Sequence, residues 1–240
     1  MANYRQSGYP GLPTVVKYLI IINVVVWLTE ILWNGPWFIN YFALHDVRSS
    51  LFKPHQFISH LFLHEARDPR GGVVFAHIGL NMFALWMFGS TLENHWGPKR
   101  FLNFYLICGV GAGIIYSAVM YFQNNHIIGE NLYQTFGDPA AVAQLKAQVY
   151  DNSIIGASGA IFGVLVAFGY TFPNTEMFII PIPFPIKAKW LVIGYVLIEL
   201  YSGFQMRAGD NVAHFAHLGG ALVGFVLVWI WNRTNRRDFY

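Results

Sequence analysis

Ser158 and His217 have the residue types and the settings for acyl-transfer chemistry. Ser158 stands in Ile154-Ile155-Gly156-Ala157-Ser158-Gly159-Ala160-Ile161-Phe162-Gly163, among small residues in an apolar run. A serine hydroxyl is a weak nucleophile until a base takes its proton, and imidazole is the side chain most often used as that base. His217 stands in Ala216-His217-Leu218-Gly219-Gly220-Ala221-Leu222-Val223-Gly224. On a helix His217, Gly220 and Gly224 share a face, at i, i+3 and i+7. A glycine face lets another small-residue helix approach closely, and Gly159 and Gly163 offer one. If these faces meet, the serine and the histidine come together at matching depth. His77 and Asn81, at i and i+4, share another face. Acyl transfer builds negative charge on the carbonyl oxygen. An imidazole N–H, an amide N–H and the backbone N–H groups from Gly156 to Ser158 are donors suited to it. Taken singly, each residue has a plainer use: Ser158 in helix packing, and His77 and Asn81 as a polar clamp between helices.

The elements that must position these residues are membrane helices. The chain has 240 residues, 55% hydrophobic and only 11% charged, where a soluble domain carries about 25% charged residues. Aromatic residues make up 18%, with 8 Trp and 13 Tyr, types that favour the membrane–water interface. A net charge of +3, scattered along the chain, gives no basis for nucleic-acid binding. The single cysteine, Cys108, rules out an internal disulfide and reads as packing. No cleavable leader is expected, because the first apolar run lacks a small-residue cleavage site. A spanning helix needs about 20 mostly apolar residues, and six stretches qualify: Val15–Trp33, Val73–Leu92, Phe101–Phe122, Ser153–Phe172, Ala188–Phe204 and Asn211–Asn232. Residues 1–240 are expected to form a single all-α, polytopic domain.

Charge near the span ends sets the expected orientation. One side receives Arg5, Lys17, Lys99, Arg100, Lys187, Lys189, Arg233, Arg236 and Arg237. The other receives Arg48, Lys53, Arg67, Arg70, Lys146 and Arg207, diluted by acids from Asp46 to Asp210. The first set hugs the helix ends, so both termini are expected in the cytoplasm. The connection from Gly35 to Ser59 carries Trp37, Phe38, Tyr41, Phe42 and Phe57 and suits the outer leaflet. The connection from Gln123 to Asn152 is polar and contains a short helix from Pro139 to Leu145, with proline at its first position. In Phe178–Ile186 three prolines block a continuous helix. Glu199, inside the fifth span, is expected to be structural.

Three motifs in this order resemble the rhomboid family of intramembrane serine proteases: His77-x-x-x-Asn81, Gly156-Ala157-Ser158-Gly159, and Ala216-His217-x-x-Gly220-x-x-x-Gly224. The resemblance covers nearly the whole chain. It implies a six-transmembrane-helix bundle of the bacterial type in the cell inner membrane. It also implies a Ser158–His217 dyad rather than a triad, with His77, Asn81 and the Ser158 backbone N–H stabilising the oxyanion. No metal, cofactor or ATP is implied. The implied partners are the lipid bilayer and single-span membrane-protein substrates, which enter laterally near spans two and five and are cut near their outer ends. No feature of the sequence sets an oligomeric state. His214, one turn before His217, lies outside the family frame and is expected to line the cavity. Gly89-x-x-x-Glu93 resembles a family pattern in which a Glu ties helix ends together. Two departures stand out: the insertion Glu65–Val73 between His60-x-x-x-His64 and His77, and the long Gln123–Asn152 connection.

Two other readings compete. A zinc protease would need His-Glu-x-x-His, but His64-Glu65-Ala66-Arg67-Asp68 has Asp in the last position. A catalytically inactive rhomboid-like protein, binding membrane proteins for trafficking or quality control, would typically lack the serine, the histidine or both. This chain keeps both.

Overall fold

The computed structural model describes residues 11–33, 35–68, 70–132, 138–178, 184–205 and 213–234. Ten α-helices are defined among them. They are α1 (Thr14–Leu32), α2 (Pro36–Phe42), α3 (Gln56–Ser59), α4 (Ala76–Ala84), α5 (Ser90–Trp96), α6 (Pro98–Leu132), α7 (Pro139–Tyr150), α8 (Ser158–Thr171), α9 (Ala188–Gln205) and α10 (His214–Thr234). Two short antiparallel pairs join connections, β1 (Leu44–His45) with β2 (Ser153–Ile154) and β3 (Glu176–Met177) with β4 (Ile186–Lys187). By length and composition, Thr14–Leu32, Pro98–Gly129 and His214–Thr234 can each cross a membrane, and Ser158–Thr171 is a shorter apolar helix. The architecture is a helical membrane bundle.

Helix α8 is the centre of that bundle, with ten of its fourteen residues buried. It packs against α6 and α10. The contact with α10 is made through glycine: a Cβ on Gly220 would lie 1.8 Å from the Gly159 carbonyl oxygen, and one on Gly224 would lie 2.6 Å from Gly163 Cα. On the α6 side, Cβ atoms on Gly159 and Gly163 would meet Ala112 Cβ at 2.7 Å and Cys108 Sγ at 2.6 Å. Backbones this close cannot be reached with larger side chains, which is the packing mode small residues permit inside a membrane. Cys108 is fully buried here, as packing.

Several boundaries differ from the expected spans, each for a physical reason. The helix of the expected second span starts at Ala76 rather than Val73, because Val73 bridges to Arg67 as the return strand of a small hairpin. It runs on through a π turn, Leu85–Gly89, to Trp96. The third span continues ten residues beyond Phe122. The start of this polar extension is tied to the connection before α3: Asn124 Nδ2 donates to Asp46 Oδ2 at 2.8 Å, and the Arg48 guanidinium lies over the Tyr121 and Tyr150 rings. The stretch read as a polar loop is therefore largely helix, and the short helix after Pro139 extends to Tyr150, capped by the Asp138 side chain. The fourth helix begins at Ser158 rather than Ser153, because Ser153–Ile154 pairs with β1. The prolines of Phe178–Ile186 fall mostly at residues 179–183, outside the described residues, but their flanks pair as β3 and β4. Residues 211–212 of the sixth span and both chain ends also lie outside the described residues.

Two buried acids fasten the frame. Glu93 accepts from the backbone N–H groups of Val15 and Val16, both at 2.8 Å, and so caps the start of α1, the tie expected of it. Asp46 is held by Arg48 Nη2 at 2.7 Å. Burial works to raise the Asp46 carboxyl, but hydrogen bonds from Arg48 and Asn124 outweigh it and hold the group below the usual carboxylate range.

Candidate active site

The residues that precede Ser158 fold as an extended stretch because Gly156 adopts φ +124°, a conformation L side chains rarely take. Its N–H donates to the His60 carbonyl at 2.9 Å. His60 belongs to a 3₁₀ turn docked on α6, where a Cβ on Gly113 would lie 3.2 Å from His60 Cε1. Ser158 is the first residue of α8, so the backbone N–H groups at its level have no intrahelical acceptor. A 14-residue helix rises about 21 Å, short of the roughly 30 Å hydrocarbon thickness. The extended stretch makes up part of the difference and leaves Ser158 set into the bundle yet only partly buried.

His217 comes from the facing turn of α10. Its Nε2 lies 2.7 Å from Ser158 Oγ, within hydrogen-bond reach for proton transfer. The imidazole stacks on Phe162, one turn along α8 from Ser158, with centroids 4.4 Å apart and planes at 10°. The ring's other nitrogen, Nδ1, lies 3.1 Å from Glu199 Oε2, although the alignment falls short of a hydrogen bond. The same Oε2 lies 2.6 Å from His214 Nδ1.

His77 lies beside the serine, and Asn81 follows it one turn further along α4. A Cβ built on Gly156 would be 2.9 Å from His77 Nε2 and 3.6 Å from Ser158 Oγ. Glu65 N–H donates to His77 Nδ1 at 3.3 Å. The proton of a neutral His77 is therefore on Nε2, the nitrogen turned toward Gly156 and Ser158. Asn81 Nδ2 uses one hydrogen on the His77 carbonyl at 2.8 Å and retains a second. The long insertion before His77 does not disturb this arrangement. Asp68 accepts from the backbone N–H groups of Arg70 and Gly72, and Gly71 turns the chain at φ +85°. Val74 N–H then returns to the Ala66 carbonyl. The excursion closes on itself, and the His64 and His77 rings end 5.1 Å apart.

The fold thus brings together Ser158, His217, His77 and Gly156, with Asn81 bonded to the His77 carbonyl and Gly159, Gly163, Gly220 and Gly224 as the packing face. Two side chains at the site were not assigned to it in advance. Phe162 was available from the i, i+4 spacing to Ser158. Glu199, expected to be structural, faces both histidines. Among the described residues, Glu199, His214 and His217 each place a ligand atom within 4.8 Å of the others, so they are also the group that could hold a metal ion. His60 directs Nδ1 to the Gln56 carbonyl at 2.7 Å instead.

Comparison with known proteins gives a consistent set of matches. A model of the rhomboid domain matches residues 52–234. The chain is 28% identical over 164 residues to the mitochondrial Rhomboid protein 1 of Saccharomyces cerevisiae, covering 68% of this chain and 40% of that protein. It is 27% identical over 157 residues to Rhomboid protease AarA of Providencia stuartii, covering 63% of this chain and 49% of that one. It is 30% identical over 151 residues to Rhomboid protease GluP of Bacillus subtilis, covering 62% of this chain and 22% of that one. The matches span 40%, 60% and 65% of the length of three organellar relatives, from yeast mitochondria and from Arabidopsis mitochondria and chloroplasts.

Proposed function

The chain belongs to the rhomboid family, and from that premise we propose that it is a serine endopeptidase that cuts membrane-protein substrates within the bilayer. Ser158 is the nucleophile and His217 the general base. The observation that carries this reading is the 2.7 Å approach of His217 Nε2 to Ser158 Oγ. His217 takes the hydroxyl proton as Oγ attacks the scissile carbonyl carbon. The carbonyl electrons move onto oxygen, where the Ser158 backbone N–H, the His77 Nε2–H and the free Asn81 N–H are donors. The imidazolium then returns its proton to the leaving amine, and water repeats the cycle on the acyl-enzyme. Two bacterial relatives carry the word protease in their names, which supports the same chemistry here.

The arrangement suits single-span substrates approaching through the bilayer. Half of α9 is exposed, including Trp190, Ile193, Leu197, Ile198, Tyr201 and Phe204, so lateral entry beside it costs little packing. We place six spans, at α1, α4–α5, α6, α8, α9 and α10, in a bacterial inner membrane with both termini cytoplasmic. The test is cleavage of a single-span substrate in proteoliposomes. Wild type is expected to cut, and Ser158→Ala and His217→Ala to lose cleavage. Cleavage undiminished in either variant would overturn the pair. Loss in His214→Ala with activity kept in His217→Ala would make His214 the base.

A further inference from the structure

We propose that Glu199 is a positioning residue that completes a Ser158–His217–Glu199 relay, in place of the dyad the family resemblance implies. The proposal rests on the reading of Ser158 and His217 as the reacting pair. With Nε2 directed at Ser158 Oγ, His217 can act as a base only when its proton sits on Nδ1. His217 is buried, and Nδ1 has no aligned hydrogen bond. The atom nearest to serving as its acceptor is Glu199 Oε2, at 3.1 Å. Relay contacts are often long or misaligned before substrate binds and tighten in the complex. A carboxylate there favours the Nδ1–H tautomer and stabilises the imidazolium that forms during attack.

A carboxyl group inside an apolar helix is costly and needs partners. Glu199 has two, because Oε2 lies between His214 Nδ1 at 2.6 Å and His217 Nδ1. The His214 contact ties α9 to α10. The approach to His217 falls on the one ring nitrogen the serine does not use. Phe162, stacked on the imidazole, fixes the ring plane. The remaining freedom is a flip of the ring, which would remove Nδ1 from the carboxylate and Nε2 from the serine together.

The test compares wild type, Glu199→Gln and Glu199→Asp for kcat and KM in proteoliposomes. Nitrogen NMR of His217 is recorded alongside in a Ser158→Ala background. Glu199→Gln is expected to lower kcat about 100-fold with KM within about threefold, as for loss of a catalytic proton-transfer contribution. Glu199→Asp, which keeps the charge on a shorter arm, recovers about tenfold of that loss and stays below wild type. The NMR spectrum of Glu199→Gln shows the His217 proton redistributed from Nδ1 toward Nε2. Wild-type kcat in Glu199→Gln, or an unchanged tautomer, overturns the relay while leaving the dyad standing. A wild-type protein that does not cleave overturns the protease reading instead, and the tautomer measurement, which needs no turnover, then decides the role of Glu199 alone. Were Glu199→Gln to fold poorly, the tautomer and kcat of Glu199→Asp decide: if both match wild type at the longer reach, the contact is not needed and the relay fails.

Discussion

Replacing Gly220 with alanine tests the geometry that brings the reacting pair together. The new Cβ would lie 1.8 Å from the Gly159 carbonyl oxygen and 2.6 Å from its carbonyl carbon, where ordinary contact begins at 3.4 Å. Both obstacles are backbone, so no side chain can turn aside. Helices α8 and α10 must part by about 1.6 Å at this layer. Ser158 directly precedes Gly159, and His217 lies one turn before Gly220, so the displacement reaches the 2.7 Å Oγ···Nε2 contact with little loss. A third of it already brings that distance to the roughly 3.2 Å limit of useful hydrogen-bond reach. Overpacking of this kind costs about 1–3 kcal/mol of stability, and loss of general-base assistance costs about 10²–10⁴ in rate. Cleavage in proteoliposomes is expected to fall at least about 100-fold, with a lowered thermal midpoint. Gly194→Ala is the control: its Cβ would meet nothing within 4 Å, so activity stays at wild type and the helix gains up to about 1 kcal/mol. Wild-type cleavage and an unchanged midpoint in Gly220→Ala would refute the packing argument.

Asn81→Ala removes a proposed oxyanion donor and is expected to lower kcat on the order of 100-fold with little change in KM; steady-state kinetics check this, and a change confined to KM would contradict the role. Asp46→Asn tests the polar joint between Arg48 and α6. The Asp46 carboxyl titrates below the usual range in the folded state, so its contribution is complete above the unfolded value of about 4 and is lost as pH falls through the lower folded value. The variant is expected to be less stable than wild type at pH 7 by about 1 kcal/mol or less after solvent screening. Thermal unfolding at pH 7 and pH 3 reads the gap, which narrows on acidification; an equal gap at both would oppose the assignment.

The pairing of α8 with α10 was legible because small residues recur at helical spacing on both segments. Gly159 and Gly163 meet Gly220 and Gly224 as that spacing requires. The start of α8 was not legible. Ile154-Ile155-Gly156-Ala157 is as apolar as the helix after it, and only the pairing with β1 and the positive φ of Gly156 break the chain there. The extension of α6 was hidden for a related reason: its polar residues resemble a loop, and their partners Asp46 and Arg48 are distant in sequence. The insertion before His77 departs from the family pattern, yet Asp68 and Gly71 close it locally. Glu199 was visible as a costly charge, but its target depends on how α9 is rotated. Both faces of that helix are apolar in lipid, so periodicity carries no signal for the rotation.

The central claim is that Ser158 is a nucleophile made reactive by His217. Covalent labelling by a fluorophosphonate, with the modified peptide identified by mass spectrometry, reads that reactivity without requiring a known substrate. The label is expected on Ser158 in wild type, absent in Ser158→Ala, and slowed on the order of 100-fold or more in His217→Ala, the scale of general-base assistance. Label on another residue, or equal labelling of Ser158 without His217, would contradict the account.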